Sequence, residues 1–557
     1  MDNEKLNWQI LFEKKDKEKK LPVDKIIEVL LENRGIRGSK ERVEFLNPIK
    51  PEDVSLAYLK INKEEVKKAI FRLKTAFKNR ERVIIYGDYD ADGICGTAIL
   101  WETLYGLGFD VWPYIPERFS EGYGVNFESV EKLKKDYPNF GILITVDNGI
   151  VANEAIDKIN KLGIDVIVTD HHQTSKKKIN SYSTIHTTDV CGSTVSWIFS
   201  REIENSFSKV KNKKTAGLDL VAIGTIADQV TLLDANRSFV KWGLRELNNT
   251  NRSGLLSLFK EAGLTKGEIG TYEVGYIIAP RINAAGRIEQ GIDSLRLLCT
   301  KSEKKSSELA KKIGSINQKR KDIVNEVVEK ALDLTNKSSL EKVLIIDGKS
   351  FHEGVIGLAA GRLVEVFYRP AIVISKGERM SKASARSIPG FNIIENIRKL
   401  EDILVDGGGH PMAAGFSILT KNINKFKKEF IKIVNESIND ELLLKKVKID
   451  MDLGFEDLSL DLINKINTLE PFGIGNPYPV FITENVEILD KRLVGKENKH
   501  LKLTLKKDER VFDAIAFNMG DFFPLLSRKE KISIAYSLDK NLWDGREKIQ
   551  LKVRSLK

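Results

Sequence analysis

The sequence predicts an α/β protein: two α/β lobes joined by a long helix, then a small β-barrel. Three observations carry this. Apolar, β-branched runs alternate with helix-compatible segments over residues 61–235 and again from about 340 to 440, the signature of parallel strands joined by crossover helices. Between them, Leu309, Ile313, Ile316, Ile323 and Val327 recur at three- to seven-residue spacings within a charged stretch, which predicts one long, largely wet helix over 302–334 acting as a rigid connector. After about residue 446 the apolar period becomes two. At 557 residues the chain has room for roughly three or four domains. The expected division is 1–60 as an N-terminal extension, 61–235, 236–335 as helical segment and connector, 336–442, and 443–557.

In chain order, the polar, lysine-rich extension holds one helix, near Val23 to Asn33. Strands follow at 83–86, 111–115, 142–146 and 166–169, each succeeded by a helical segment. Residues 240–300 read as mostly helical, interrupted by the glycine-bearing segment Arg281-Ile-Asn-Ala-Ala-Gly-Arg287. The second lobe opens with the strand Val343-Leu-Ile-Ile346 and carries two glycine-rich turns. In the last segment, 486–494, 500–505, 511–517, 532–536 and 549–553 give about five short strands, which fits a barrel of the oligonucleotide-binding kind. A plain β-sandwich would share that pattern.

Composition narrows the function classes. No apolar run approaches the ~20 residues of a membrane span, and the charged N-terminus lacks the apolar core of a signal peptide. The three cysteines (Cys95, Cys191, Cys299) show no CxxC spacing, so neither a disulfide framework nor a zinc cluster is expected, and a reducing cytoplasm is the simplest location. The net charge of +11 favours a polyanionic partner.

The chemistry is concentrated at strand ends. Val83-Ile-Ile85 runs into Asp88, Asp90 and Asp92; Ile142–Val146 ends in Asp147-Asn-Gly149; Val166–Thr169 ends in Asp170-His171-His172. A further helical segment, Leu218 to Ala227, delivers Asp228. An aspartate at a strand end is also a common cap or turn residue, so no one cluster decides the matter. Four of them at the carboxyl edge of one sheet, where ligands bind in such folds, do. Carboxylates with imidazoles suit Mn²⁺ or Mg²⁺. Paired cations roughly 3.5–4 Å apart are a recurring device for phosphate-ester hydrolysis by an activated water.

With these residues in view, the chain resembles the DHH phosphoesterase family. Asp-Tyr-Asp-Ala-Asp-Gly93, Val-Asp-Asn-Gly149, Asp-His-His172 and Ala-Asp228 match its ordered motifs. Phe351-His-Glu-Gly-Val-Ile-Gly357, Ala383-Ser-Ala-Arg-Ser387 and Gly407-Gly-Gly-His410 resemble its associated domain. Pro471-Phe-Gly-Ile-Gly-Asn-Pro477 and the strands after it resemble the oligonucleotide-binding domain of the family's single-strand exonucleases. The resemblance implies two divalent cations, Mn²⁺ or Mg²⁺, held by Asp90, Asp92, Asp147, His171 and Asp228, with Asp147 as the bridge. It implies that Asp88 and His172 orient ligands or meet the scissile phosphate. Arg281, Asn283, Arg287, Arg386, Gly408, Gly409 and His410 would face the substrate. The loop Gln173–Lys178 lacks an expected proline, Phe351 and Glu353 replace a tryptophan and a proline, and Ala383 and Ala385 stand where glycines are common. These departures touch substrate contact rather than the metals.

The implied activity is 5′→3′ hydrolysis of single-stranded DNA to mononucleotides, in recombination and repair. Single-stranded DNA is the expected partner, with a single-strand-binding protein and a helicase added by resemblance. Two other readings share the motifs: a hydrolase of small phosphates such as oligoribonucleotides, cyclic dinucleotides or polyphosphate, and an inactive strand-binding scaffold. The predicted barrel argues against the first and the filled acidic positions against the second.

Overall fold

The computed structural model describes residues 6–14, 20–118, 120–122, 124–175, 177–207, 215–337, 340–543 and 546–557. Parts of the N-terminal extension (1–5, 15–19) and residue 176 in the loop after His172 lie outside them. The chain divides into two compact units, one of residues 48–437 and one of residues 1–47 with 438–557.

In the larger unit the first sheet is wholly parallel. Its strands run Val111–Tyr114, Arg82–Gly87, Phe140–Val146, Asp165–Asp170 and Ser183–His186 from edge to edge. Strand alternation divides its side chains between two cores. Val83, Ile85, Ile142, Ile144 and Ile167 face one core with Ile94 and Ala98 of helix Ala91–Gly106 and Val195 of helix Gly192–Phe207. Ile84, Tyr86, Leu143, Val166 and Val168 face the other, against Val130 and Ile156. Burial on both faces explains the near-continuous apolar runs. After Arg82–Gly87 the chain adds a strand on one side, then Phe140–Val146 on the other. The carboxyl ends of those two strands therefore flank the topological switch point, where such sheets bind ligands.

The segment Arg281–Arg287 does not interrupt the helices, as its composition suggests. It lies inside helix Ala279–Ile288, which follows a π-helical turn, Val274–Ile278. Its small residues serve close packing: a Cβ on Gly286 would sit 2.5 Å from the Tyr89 carbonyl oxygen.

The connector is a single helix, Glu303–Lys337, as its stripe predicts. At about 1.5 Å per residue it is roughly 50 Å long. Ala310 and Ile313 are buried in the first lobe's core, whereas Val327 and Ala331 are buried in the second lobe's. One rigid rod thus shares both cores.

The second lobe's sheet orders Leu404–His410, Ala413–Leu419, Met380–Arg386, Ala371–Ser375 and Leu344–Gly348, with only the last pair parallel. Here a second expectation fails. Gly407–His410 is the end of an edge strand, paired through Gly408 with Gly415 and through His410 with Ala413, rather than a turn. Glycines weaken a strand's intrinsic preference, but the pairing with Ala413–Leu419 overrides it.

In the smaller unit, Phe481–Val494, His500–Lys507, Arg510–Ala516, Arg546–Leu556 and Lys531–Trp543 pair in that order, and the first and last pair again to close the barrel. The one parallel pairing among them, 513–516 with 550–553, gives the strand order of an oligonucleotide-binding fold. Three strands run to 11 residues or more, longer than their period-two cores suggest. The N-terminal segment completes this unit: Leu6–Ile10 pairs in parallel with Lys445–Ile449. The Arg34 guanidinium donates to Asp450 Oδ1 at 3.0 Å and to Asn476 Oδ1 at 2.8 Å.

Because Ile313 is fully buried at the connector's packed end, Ile313→Ala should destabilise the larger unit by about 2–4 kcal/mol. Chemical denaturation followed by tryptophan fluorescence measures this, with exposed Lys311→Ala changing the midpoint little.

Candidate metal centre

Four chain segments converge beyond the carboxyl edge of the parallel sheet. Asp88 follows strand Arg82–Gly87 directly, and its amide donates to the Val146 carbonyl of the neighbouring strand (3.1 Å). Asp90 caps helix Ala91–Gly106, its Oδ1 accepting from the amides of Asp92 and Gly93, both at 3.0 Å. That cap uses one oxygen and leaves the other to the cluster. Asp92, in the first turn, accepts from the Gly192 amide (2.6 Å) and the Ser193 amide (3.0 Å). These amides open helix Gly192–Phe207, where the helix dipole favours an anion.

Asp147 ends the adjacent strand in the left-handed region, at φ +62°. A non-glycine residue there costs on the order of 1–3 kcal/mol and persists only where its surroundings fix it. They do: its amide donates to the Thr169 carbonyl (3.0 Å), and the Thr145 hydroxyl holds the Asn148 carbonyl (2.8 Å). Asn148 Nδ2 donates to the Val146 carbonyl (2.9 Å). Asp170 accepts from the amides of His171, His172 and Ile150, and from His172 Nδ1 at 2.8 Å. His186 Nε2 lies 2.7 Å from the His172 carbonyl and secures the same loop.

Three glycines on separate segments make this convergence possible. A Cβ on Gly192 would lie 2.7 Å from Asp147 Oδ1, one on Gly224 would lie 2.4 Å from Asp92 Oδ1, and one on Gly93 would lie 2.7 Å from the Asp88 Cβ. Each contact is closer than any side chain tolerates.

The ligand atoms fall into overlapping groups within 4.8 Å of one another: Asp88, Asp90 and Asp147; Asp92, His171 and Asp228; and Asp147, His171 and His172. His171 Nε2 lies 3.1 Å from Asp147 Oδ1 and 3.6 Å from Asp228 Oδ2. Both His171 Nε2 and Asp147 Oδ1 are buried without a hydrogen-bond partner among the described residues. Buried lone pairs of this kind call for a ligand, and oxygen donors with one imidazole suit a hard or borderline divalent cation. The residues fit a metal centre with Asp147 and His171 shared between groups.

The electrostatics agree. Burial, then the charge of Asp90, pushes the Asp88 carboxyl up to about 8. Burial, then Asp92 and Asp90, pushes Asp228 up to about 8. Asp147 is driven well above the carboxylate range by burial and by Asp92, Asp90 and Asp88. Burial lowers His171, keeping its imidazole neutral and able to ligate. The hydrogen bond to Asp170 raises His172. Burial opposes the Asp170 charge, but the hydrogen bond and charge of His172 outweigh it and hold Asp170 low.

The candidate substrate residues divide. Arg287 sits beside the cluster, where burial and then Arg118 lower its pKa to about 10. Arg386 donates to Ser384 Oγ (3.3 Å) and the Ala385 carbonyl (2.9 Å), and burial alone lowers it, with no carboxylate contributing among the described residues. Arg281 instead pairs with Glu261 (2.8 Å), and Asn283 Oδ1 accepts from the Ala91 amide (2.6 Å), bracing the acidic loop. Gly408, Gly409 and His410 lie on an exposed edge strand.

Sequence reasoning gave no role to Asp170, Arg118 or Gly192. Asp170 stands in the Asp-His-His motif and ends a strand, so its position was the available signal. Arg118 follows the strand Val111–Tyr114 at the same sheet edge, with its guanidinium 5.2 Å from the Tyr89 ring centroid. Nothing local marks Gly192, because the group it admits is 45 residues away.

Comparison with known proteins agrees with this architecture. Residues 82–225 match the N-terminal domain of the DHH family, residues 340–436 the DHHA1 domain, and residues 449–555 the RecJ OB domain. The single-stranded-DNA-specific exonuclease RecJ of Bacillus subtilis is 34% identical over 99% of this chain and 70% of its own length. The Thermus thermophilus protein of that name is 32% identical over 86% of this chain and 69% of its own. The crystal structure of RecJ from Thermus thermophilus in complex with Mn²⁺ superposes with a TM-score of 0.82 at 27% identity, covering 100% of this chain and 80% of that one. A second structure of that protein holds Mg²⁺ and gives 0.74 at 25% identity. On motifs, fold and relatives alike, the chain belongs to the RecJ family of single-stranded-DNA-specific exonucleases.

Proposed function

We propose that this protein is a divalent-cation-dependent exonuclease that removes mononucleotides from the 5′ end of single-stranded DNA. The observation that carries the reading is the overlap of ligand groups on Asp147 and His171, both with buried donor atoms that lack a partner among the described residues. Asp90, Asp92, Asp147, His171 and Asp228 would hold two cations, Mn²⁺ or Mg²⁺, with Asp88, grouped with Asp90 and Asp147, beside them to orient ligands or meet the scissile phosphate. When bound, such a pair supplies an activated water and neutralises charge on the phosphoryl oxygens.

The chain's own residues do the rest. His172, oriented by Asp170, meets the scissile phosphate or the departing oxygen. Arg287 and Arg386 neutralise and align neighbouring phosphates, while Asn283 keeps the acidic loop in place rather than touching the strand. The glycine edge strand, with Gly408, Gly409 and His410, offers main-chain donors to the strand terminus. The barrel offers a surface of its own to single-stranded DNA through phosphate contacts and base stacking. Contact with phosphates and base faces rather than base edges gives strand selectivity without sequence selectivity. No helix among the described residues is long and apolar enough to cross a membrane. A cytoplasmic role in recombination and repair, beside a single-strand-binding protein and a helicase, accords with this reading.

Asp147→Ala should abolish cleavage of a 5′-labelled single strand and leave single-strand binding within about threefold. Turnover at the wild-type rate would rule out the assignment. A dinucleotide digested in parallel separates this reading from a small-phosphate hydrolase, which would prefer the short substrate.

Gly192→Ala should reduce kcat at least a hundredfold by displacing Asp147, while far-ultraviolet circular dichroism stays unchanged.

The raised carboxyl groups set a pH dependence. A group whose folded pKa lies near 8 against ~3.8 unfolded stabilises the metal-free protein at low pH and loses that contribution as pH rises through 8. Cations displace those protons, so the gain in Tm on adding Mg²⁺ should grow between pH 6 and pH 8.5. Differential scanning calorimetry with Mg²⁺ or with chelator measures it, and a constant gain would contradict the cluster.

A further inference from the structure

Two tyrosines stand out among the exposed aromatic residues of the larger unit. Tyr272 is 61% exposed and Tyr276 71% exposed, yet their rings stack on each other, with centroids 4.9 Å apart and planes 29° from parallel. They sit on the helical run that enters the π-helical turn Val274–Ile278 and continues as Ala279–Ile288. Advancing the helix by its own geometry, with the wider π turn included, places Tyr272, Tyr276, Pro280, Asn283 and Arg287 within about 60° of one another. A uniform α-helix would spread the same five positions over about 80°, so the wider π turn tightens the alignment modestly. Such turns are frequent at functional sites.

The line has a direction. At its far end Asn283 binds the Ala91 amide of the acidic loop, and the partly buried Arg287 lies beside Asp90 and Arg118. At the tyrosine end a Cβ on Gly275 would meet Ile226 Cγ2 at 3.6 Å, two residues before Asp228. The exposed tyrosines form the outer end, roughly 16 Å along the helix from Arg287. A stripe that grades from solvent-facing aromatic rings to a buried cation beside a metal-type cluster matches single-stranded nucleic acid, whose bases stack on rings while its phosphates seek cations.

We propose that Tyr272 and Tyr276 form a base-stacking platform that grips the single strand several nucleotides from the reacting phosphate. This rests on the nuclease reading for the identity of the strand. The platform acts on long substrates only, because a dinucleotide at the metal centre does not reach it. It is a positioning element without sequence preference, since every base has a π-face.

The test uses full-length protein carrying Asp147→Ala, which holds the strand without cleaving it, and a strand with 2-aminopurine at successive positions from the 5′ end. Binding should quench the probe at one or two interior positions. Tyr272→Ala with Tyr276→Ala should abolish that quenching, and the paired phenylalanine changes should retain it. In the cleavage-competent protein the paired alanine changes should raise KM for a 30-nucleotide strand about tenfold with kcat kept, leaving dinucleotide hydrolysis unchanged. Quenching that survives the alanine changes would overturn the platform, as would equal losses on the long and short substrates. Failure of the nuclease reading shows separately, as absent turnover in the protein with both tyrosines intact.

Discussion

Mutual repulsion among buried carboxylates is the constraint on which this structure turns. Asp88, Asp90, Asp92, Asp147 and Asp228 crowd into one region, and two charges about 4 Å apart repel by roughly 4 kcal/mol at the effective dielectric of a protein. The fold meets this locally where it can. Asp92 receives the first two amides of one helix and Asp90 caps another. Even so, burial and mutual charge drive the Asp90, Asp147 and Asp228 carboxyl groups upward. The centre is therefore stable with protons or with cations, and the two compete. A cation bound there would displace those protons.

Holding charges together against repulsion requires a stiff frame. The parallel sheet supplies it by lining up strand ends at the switch point, so that Asp88 and Asp147 emerge side by side. The helices supply the rest through glycines that let backbone approach carboxylate. Stiffness extends to the second lobe because the connector's side chains belong to both cores. Arg386 consequently has a fixed station rather than a mobile one. No carboxylate among the described residues contributes to its charge, and its guanidinium donates to Ser384 Oγ and the Ala385 carbonyl.

How much of this the sequence discloses depends on whether the deciding contact is local. The strands of the first sheet are legible because both faces are buried, which forces long β-branched runs. The connector is legible because its stripe keeps one period. The acidic strand ends are legible because few chains place so many carboxylates there without a cation. By contrast, Arg281–Arg287 reads as a break, since glycine is the poorest helix former after proline and asparagine also ranks low. Its helicity is set by close packing on Tyr89, nearly 200 positions away. Gly407–His410 reads as a turn for the same reason, its strand character coming from Ala413–Leu419. The parallel pairing of Leu6–Ile10 with Lys445–Ile449 joins positions more than 400 apart, beyond any periodicity argument.

Asp147 shows why the local and distant contributions cannot be separated. Its left-handed backbone is unfavourable for an aspartate, and the following Asn-Gly pair only permits the turn. What imposes it is the hydrogen bond from its amide to the Thr169 carbonyl, the Thr145 hydroxyl donating to the Asn148 carbonyl, and the absence of a side chain at Gly192. Relaxing φ to an ordinary value would swing the carboxylate away from His171 and break up both ligand groups to which Asp147 belongs. The strain is tolerated because Thr145, Thr169 and Gly192 each hold the same arrangement from a different side. A site that must place one carboxylate between two ligand groups is built from such redundancy, and the aspartate's own preference counts for little in it.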